Sequence, residues 1–369
     1  MNIAIALRAY DRFGGIGVYS RNIVKHLLKI DKINHYIFIY NNESHVGTFK
    51  DNENVSEIYI PSANAFFWDQ WELRKVLKRW TIDLVFNTKF TVPIFTKAKT
   101  IMALHGSSWY TNPEFYSKFD ILYVHAMMPV YCHEANFLIS NSSLTTSDYI
   151  KYLHVDKEKI ATVPLAAGDE FVPIDDQQAL HVIKNKYRLP EKFILTVTSY
   201  EEKRKNFRTL LKAFEICRKE VDLELVVVGK NCNKYAADFN LKERGLLDYI
   251  HFPGWIEQSD LPAIYNLAKA YVFPSVYEEF GIPILEEMAC GCPVVASNTG
   301  AIPEITNGSA VLCDPFDDKG FAKGIMDIVN STSVYKNQRL KGLERVKEYS
   351  WYKTAKKTLE IFKLFSNRN

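Results

Sequence analysis

Pro274-Ser-Val-Tyr-Glu-Glu-Phe-Gly-Ile-Pro-Ile-Leu-Glu-Glu-Met-Ala-Cys-Gly-Cys-Pro-Val-Val-Ala-Ser297 is the stretch on which the reading of this chain turns. An apolar run (270–273) leads into it and another (293–296) closes it, so it reads as a strand end, a loop, a short helix and a further strand. Pro283 suits a first helical position, where the N–H it lacks would have no intrahelical partner. Gly291 suits the cap after the last turn and Pro293 forbids continuation, which confines the helix to about two turns. Strand, helix and strand in such close succession make a crossover unit of a parallel sheet, and the fold class is α/β.

The same alternation runs outward to both ends. Strands are expected at 2–7, 35–40, 56–60, 83–87, 100–104 and 137–140, and helices at 17–30, 68–80, 119–135 and 143–154. The pattern restarts after Val163–Pro173, with strands at 193–198, 223–229, 249–252, 270–273 and 293–296. A chain of 369 residues exceeds the size at which a single core usually divides. Two Rossmann-like, doubly wound domains are therefore expected, at 1–170 and 171–349, facing each other across a cleft. The closing amphipathic stretch, about 350–369, can pack on either domain. Ligands of such sheets sit beyond the carboxyl ends of the strands.

Composition narrows the function. With 47% apolar and 24% charged residues the chain is globular, and a formal charge of +3 shared between the halves leaves no nucleic-acid footprint. The six cysteines form no CxxC pair and read as reduced, buried thiols. The apolar run at the amino terminus is broken by Arg8 and Asp11, too early for a signal peptide, which points to the cytoplasm. No Asp-x-Asp occurs among the cleft candidates, so neither a metal nor another cofactor is expected.

Several residues are placed for chemistry. The Phe280-Gly281 pair precedes a helix whose first N–H groups can donate to hydroxyls or phosphates. Glu278 in the loop and Glu286 in the helix can each accept paired hydrogen bonds from vicinal hydroxyls, one reaching a hexose and the other a ribose. Arg204 and Lys205 follow the 193–198 strand and carry fixed positive charge to the sheet edge. Gly14-Gly15-Ile16-Gly17 lies between the first strand and the first helix without being a GxGxxG fingerprint, and His105 emerges after the 100–104 strand.

The frame Tyr-Glu-x-Phe-Gly-x-Pro-x-Leu-Glu-x-Met-Ala-x-Gly-x-Pro-Val resembles the family 4 retaining glycosyltransferases, a group 1 family of GT-B fold. The likeness extends to the Gly14–Gly17 loop, His105, Arg204-Lys205-Asn206, Pro274-Ser275 and the Trp351 segment, and so covers nearly the whole chain. It implies that Glu278 contacts the donor hexose, that Glu286 holds the ribose, and that Lys205, with Arg204, binds the diphosphate. It also implies that Phe280, Gly281 and Ile282 meet the sugar and diphosphate through their amides, and that Gly15 and His105 meet the donor from the first domain. Ile256, beside Trp255, would lie by the nucleobase. The chain departs from the family in having Ser199-Tyr200 where an Arg is usual, and His105-Gly106 where His-Asp is usual.

The resemblance implies a retaining, metal-independent hexosyltransferase using GDP-mannose or a UDP-sugar, with a saccharide or lipid-linked acceptor and a role in surface polysaccharide assembly. A nucleotide-sugar epimerase, or a sugar-nucleotide or glycan-binding protein without turnover, are the rival readings. Residues 66–80 mix aromatic anchors with Arg74, Lys75, Lys78 and Arg79. A membrane-surface helix has this composition, although an ordinary exposed helix explains it better.

Overall fold

The computed structural model describes residues 1–12, 14–61 and 64–366, so residues 367–369 of the closing segment lie outside the described residues. The chain forms two compact units, Met1–Leu165 with Trp351–Asn369, and Ala166–Ser350.

The first unit is built on a parallel sheet in the order β3-β2-β1-β4-β5-β6-β7. Its strands are β1 (Asn2–Ala6), β2 (His35–Tyr40), β3 (Val55–Tyr59), β4 (Leu84–Asn87), β5 (Lys99–Leu104), β6 (Phe137–Ser140) and β7 (Ile160–Thr162). The strand order reverses between β1 and β4, which are neighbours with Ala6 opposite Asn87. The second unit repeats the plan in a sheet ordered β10-β9-β8-β11-β12-β13. These strands are β8 (Phe193–Val197), β9 (Glu224–Val228), β10 (Ile250–Gly254), β11 (Ala270–Phe273), β12 (Val294–Ser297) and β13 (Val311–Cys313), and the order reverses between β8 and β11. Two parallel α/β domains of this kind make the GT-B fold expected from the sequence.

Continuous apolar strands are dictated by burial on both faces. In β9, Leu225 and Val227 enter one apolar cluster with Phe214 and Phe321, while Val226 and Val228 enter another with Tyr265 and Ile284. Strand β7 and the helices Gln177–Lys186, Asp318–Asn330 and Thr332–Val346 add to the elements expected from periodicity. The six cysteines are free and buried.

The segment expected to be one helix at 68–80 is helical from Ala65 to Arg79, but with a π-helical turn over Trp68–Glu72. On that wider turn Trp68, Asp69 and Gln70 are all buried. Trp68 donates its indole N–H to the Ile60 carbonyl at 3.1 Å. Phe66, Phe67, Trp71 and Trp80 remain exposed on the same segment.

The closing helix, Trp351–Lys363, belongs to the first unit. Thr354 donates to the Pro164 carbonyl at 2.7 Å, and Phe362 meets Phe86 edge-on with ring centroids 5.2 Å apart.

The connection from β1 into the helix Gly15–Ile30 is sterically tight, because a Cβ on Gly17 would lie 1.7 Å from the Arg12 carbonyl oxygen. That contact is with backbone, so relief requires moving the loop. Gly17→Ala is therefore expected to destabilise the protein by about 2 kcal/mol or more, read as a lower urea midpoint at unchanged slope.

Candidate active site

In the second unit the chain leaves β8, makes the short turn Glu202–Lys205, and reverses at Asn206, whose φ of 53° is left-handed. Asn206 is held there because its side-chain amide donates to the Pro274 carbonyl at 3.0 Å and to the Pro315 carbonyl at 2.6 Å. The Val276 amide donates to the Arg204 carbonyl at 2.8 Å. These bonds lay the loop after β11 against the turn after β8, at the point where the strand order reverses.

Three predicted residues consequently meet. Lys205 Nζ lies 2.6 Å from Glu278 Oε1, and an Arg204 guanidinium nitrogen lies 3.3 Å from the same oxygen. Arg204 also grips Glu201 with Nε at 3.0 Å and a second nitrogen at 2.9 Å. Burial of Glu278 would raise its pKa, but Lys205 and Arg204 outweigh it and hold the carboxyl below its ordinary value. The loop geometry around Glu278 is fixed from the far side, where the Ala301 amide donates to its carbonyl at 2.9 Å. A Cβ on Gly300 would come within 2.2 Å of that carbonyl oxygen, so glycine is required there.

The helix Ile282–Ala289 starts from Gly281, whose φ of 96° is left-handed, with no side-chain cap. The first amides of a helix have no intrahelical partner, and here no side-chain cap takes them. The Phe280 and Ile282 side chains are buried. Glu286 lies on this helix, buried, and accepts a hydrogen bond from the Tyr265 hydroxyl at 3.2 Å. Burial pushes its pKa up to about 8, so the free protein carries it protonated near neutrality. Its neighbour Glu287 is completely buried, and burial first, then the proximity of Glu286, raises it well above the carboxylate range against the thiol of Cys292. The Ile256 side chain packs into the apolar cluster of Phe273 and Ile284, leaving Trp255 exposed beside it.

In the first unit Gly15 opens the helix Gly15–Ile30, which has no acidic residue in its first turn. His105 follows β5 and donates from Nε2 to the Thr88 carbonyl at 2.7 Å, with its ring edge-on to Tyr19 at 4.9 Å. A backbone carbonyl thus orients the imidazole. Burial lowers the imidazole to about 4, so it is neutral at physiological pH.

The structure groups Glu278, Lys205 and Arg204, with Phe280, Gly281, Ile282 and Glu286 on the same loop and helix, and sets Gly15 and His105 in the other unit. Sequence reasoning missed Glu201 and Tyr265, which orient Arg204 and Glu286. It also missed Arg8, Asp69 and Lys89 at the carboxyl edge of the first sheet, although cations just after β1 and β4 carry the same signal that singled out Arg204 after β8.

The family model described as "Glycosyl transferases group 1" matches residues 179–345. The O-antigen chain mannosyltransferase B of Escherichia coli is 28% identical over 269 residues, covering 72% of this chain and 70% of that protein. The serotype-specific mannosyltransferase WbdA of the same species is 27% identical over 277 residues, which span 72% of this chain but 33% of the larger protein. A glycosyltransferase of Rickettsia africae superposes with a TM-score of 0.78 at 18% identity, covering 100% of this chain and 99% of its own. The chain therefore has the GT-B fold, and much of its second unit is similar to the group 1 glycosyl transferases.

The buried acids make stability depend on pH. Their folded pKa values lie above the ordinary 4.5, so the native state holds protons that the unfolded chain releases. That contribution is complete below about 4.5 and is lost as pH rises through the folded values. Urea unfolding of the wild type should show a midpoint falling from pH 5 to pH 9, and Glu287→Gln should make the fall shallower; an unchanged slope would contradict the assignment.

Proposed function

We propose that this chain is a retaining, metal-independent glycosyltransferase that moves a hexosyl group, with mannose favoured by its relatives' names, from a nucleotide diphosphate sugar to a saccharide hydroxyl in polysaccharide assembly. The observation that carries the reading is the sharing of one Glu278 oxygen by Lys205 and Arg204 at the reversal point of the second sheet. The Glu278 carboxylate is paired with both cations. When the donor enters, its diphosphate takes over Lys205 and Arg204 as a charge-assisted partner, and Glu278 turns its lone pairs to the hexose hydroxyls.

As the bond between the anomeric carbon and the diphosphate oxygen breaks, negative charge grows on the leaving group, and the two cations stabilise it in place of a metal. The acceptor oxygen bonds to the anomeric carbon on the face being vacated, and its proton passes to the departing phosphate. The first amides of the helix Ile282–Ala289 donate to the same group. Neutral His105, its Nε2 committed to Thr88, presents Nδ1 as an acceptor for a sugar hydroxyl. Glu286 accepts the ribose hydroxyls and does so best when ionised.

Among the described residues no helix is long and apolar enough to cross a membrane. We place the reaction on the cytoplasmic side, with a lipid-linked saccharide as one acceptor class and the exposed aromatics and cations of 66–80 resting on the bilayer. Flotation with anionic vesicles tests that contact, and Trp71→Ala with Phe67→Ala should abolish it.

Two measurements test the enzymatic reading. Lys205→Met should lower transfer on the order of a hundredfold or more with the fold intact, as seen when a group stabilising transition-state charge is removed. Donor conversion without any acceptor would instead support an epimerase, and saturable binding without turnover a binding protein. Calorimetry with GDP and UDP should show affinity rising between about pH 6.5 and 8.5 with proton release, because ribose binding favours ionised Glu286. Glu286→Gln should bind more weakly and lose that pH dependence.

A further inference from the structure

The cations of the first unit take no part in the chemistry above, yet they occupy the equivalent position in their own sheet. Ala6 of β1 and Asn87 of β4 are register partners where the strand order reverses. Each strand carries a cation two residues beyond that rung, Arg8 and Lys89, so the two leave adjacent strand ends in step. Ligands of open α/β sheets bind at this crevice.

Charge there is unbalanced. Asp69, buried by the π-turn, gives both oxygens to Arg8, at 3.2 Å from Nε and 2.6 Å from a terminal nitrogen. Lys89 and Arg12 have no ion pair among the described residues, and the Lys89 nitrogen lies over the Phe90 ring, 5.1 Å from its centre. Asp11 is directed elsewhere, to His45 and Asn42. His105, bonded to the carbonyl of the residue before Lys89, is neutral. Arg21 fixes the Arg12 loop by donating to the Tyr10 carbonyl at 2.7 Å and the Arg12 carbonyl at 3.3 Å. Three cations thus face one committed carboxylate, beside the acid-free start of the helix Gly15–Ile30. Burial, then Arg8 and Arg12, bring Lys89 down to about 7 against the pull of Asp69. A partly buried amine held among like charges is completed by an anion, whose arrival restores its proton.

We propose that Arg8, Arg12 and Lys89 form an anion site at the carboxyl edge of the first sheet, and that it receives a phosphoryl group carried by the acceptor. The assignment to the acceptor rests on the transferase reading, in which Lys205 and Arg204 already serve the donor diphosphate. The acceptor class is accordingly a phosphorylated saccharide or a saccharide joined to its carrier through phosphate.

Reductive labelling of the full-length protein with pyridoxal 5′-phosphate near pH 7, followed by peptide mass spectrometry, reads Lys89 directly. An amine of pKa about 7 is roughly half unprotonated there, whereas an ordinary lysine is so to less than about one part in a thousand. Lys89 should therefore label ahead of the exposed lysines, and pyrophosphate or mannose 1-phosphate should slow it by at least about tenfold at concentrations that saturate the site. Labelling no faster than that of exposed lysines, or indifference to both anions, overturns the site. Protection that persists in Lys205→Met supports the acceptor assignment, and protection that disappears in that variant overturns it. In transfer assays Lys89→Met should raise KM for a phosphorylated acceptor at unchanged KM for the nucleotide sugar. Failure of GDP and UDP to bind in calorimetry would sink the transferase reading while leaving the Lys89 result standing.

Discussion

The contact on which the rest of the second unit's arrangement depends is the ion cluster of Lys205, Arg204 and Glu278. Two segments far apart in sequence must be brought within 2.6 Å for it to exist. The parallel sheet does the coarse positioning by making β8 and β11 neighbours, and Asn206 does the fine positioning by bonding to carbonyls on both sides of the turn. Removing Glu278 would leave Lys205 partly buried without its counterion, whereas Arg204 would keep Glu201. Glu201 matters for the same reason: it holds the Arg204 fork in one orientation, so that a single nitrogen remains directed at Glu278.

The two sheets obey one rule in different ways. Each reverses its strand order once, and each places cations beyond that reversal, after β1 and β4 in the first sheet and after β8 in the second. In the second sheet the cations are matched by Glu278 and Glu201. In the first they outnumber Asp69, and the excess shows as a lysine close to losing its proton. Like folds thus arrive at unlike electrostatics through which acids the neighbouring segments supply.

Much of this was legible in the sequence because it depends on local periodicity. The strands that flank the site are apolar runs with turn residues after them, and the helix over Ile282–Ala289 is bounded by Gly281 and the Cys290-Gly291 cap, whose φ and hydrogen bonds any reader of proline and glycine could expect. Which side chains meet was less legible. Glu278 and Lys205 are 73 residues apart, and only the register of β8 with β11 joins them. The protonation of Glu286 follows from its burial beside Tyr265, which no spacing encodes. The π-turn at Trp68–Glu72 was read as plain helix, because a single wider turn inside a helix leaves no mark in the apolar periodicity.

The chain crosses from the first unit to the second after Leu165 and returns at Trp351. The seat of Trp351 and Phe362, against Tyr19 and Phe86, therefore stays open until the last helix has been made. During synthesis the second unit, contiguous in sequence, can finish folding while the first still shows bare apolar surface to the ribosome exit and to chaperones. The order of translation runs from the first unit to the second, but the order of completion is reversed, and a premature stop before Trp351 would damage the earlier-made half rather than the later one.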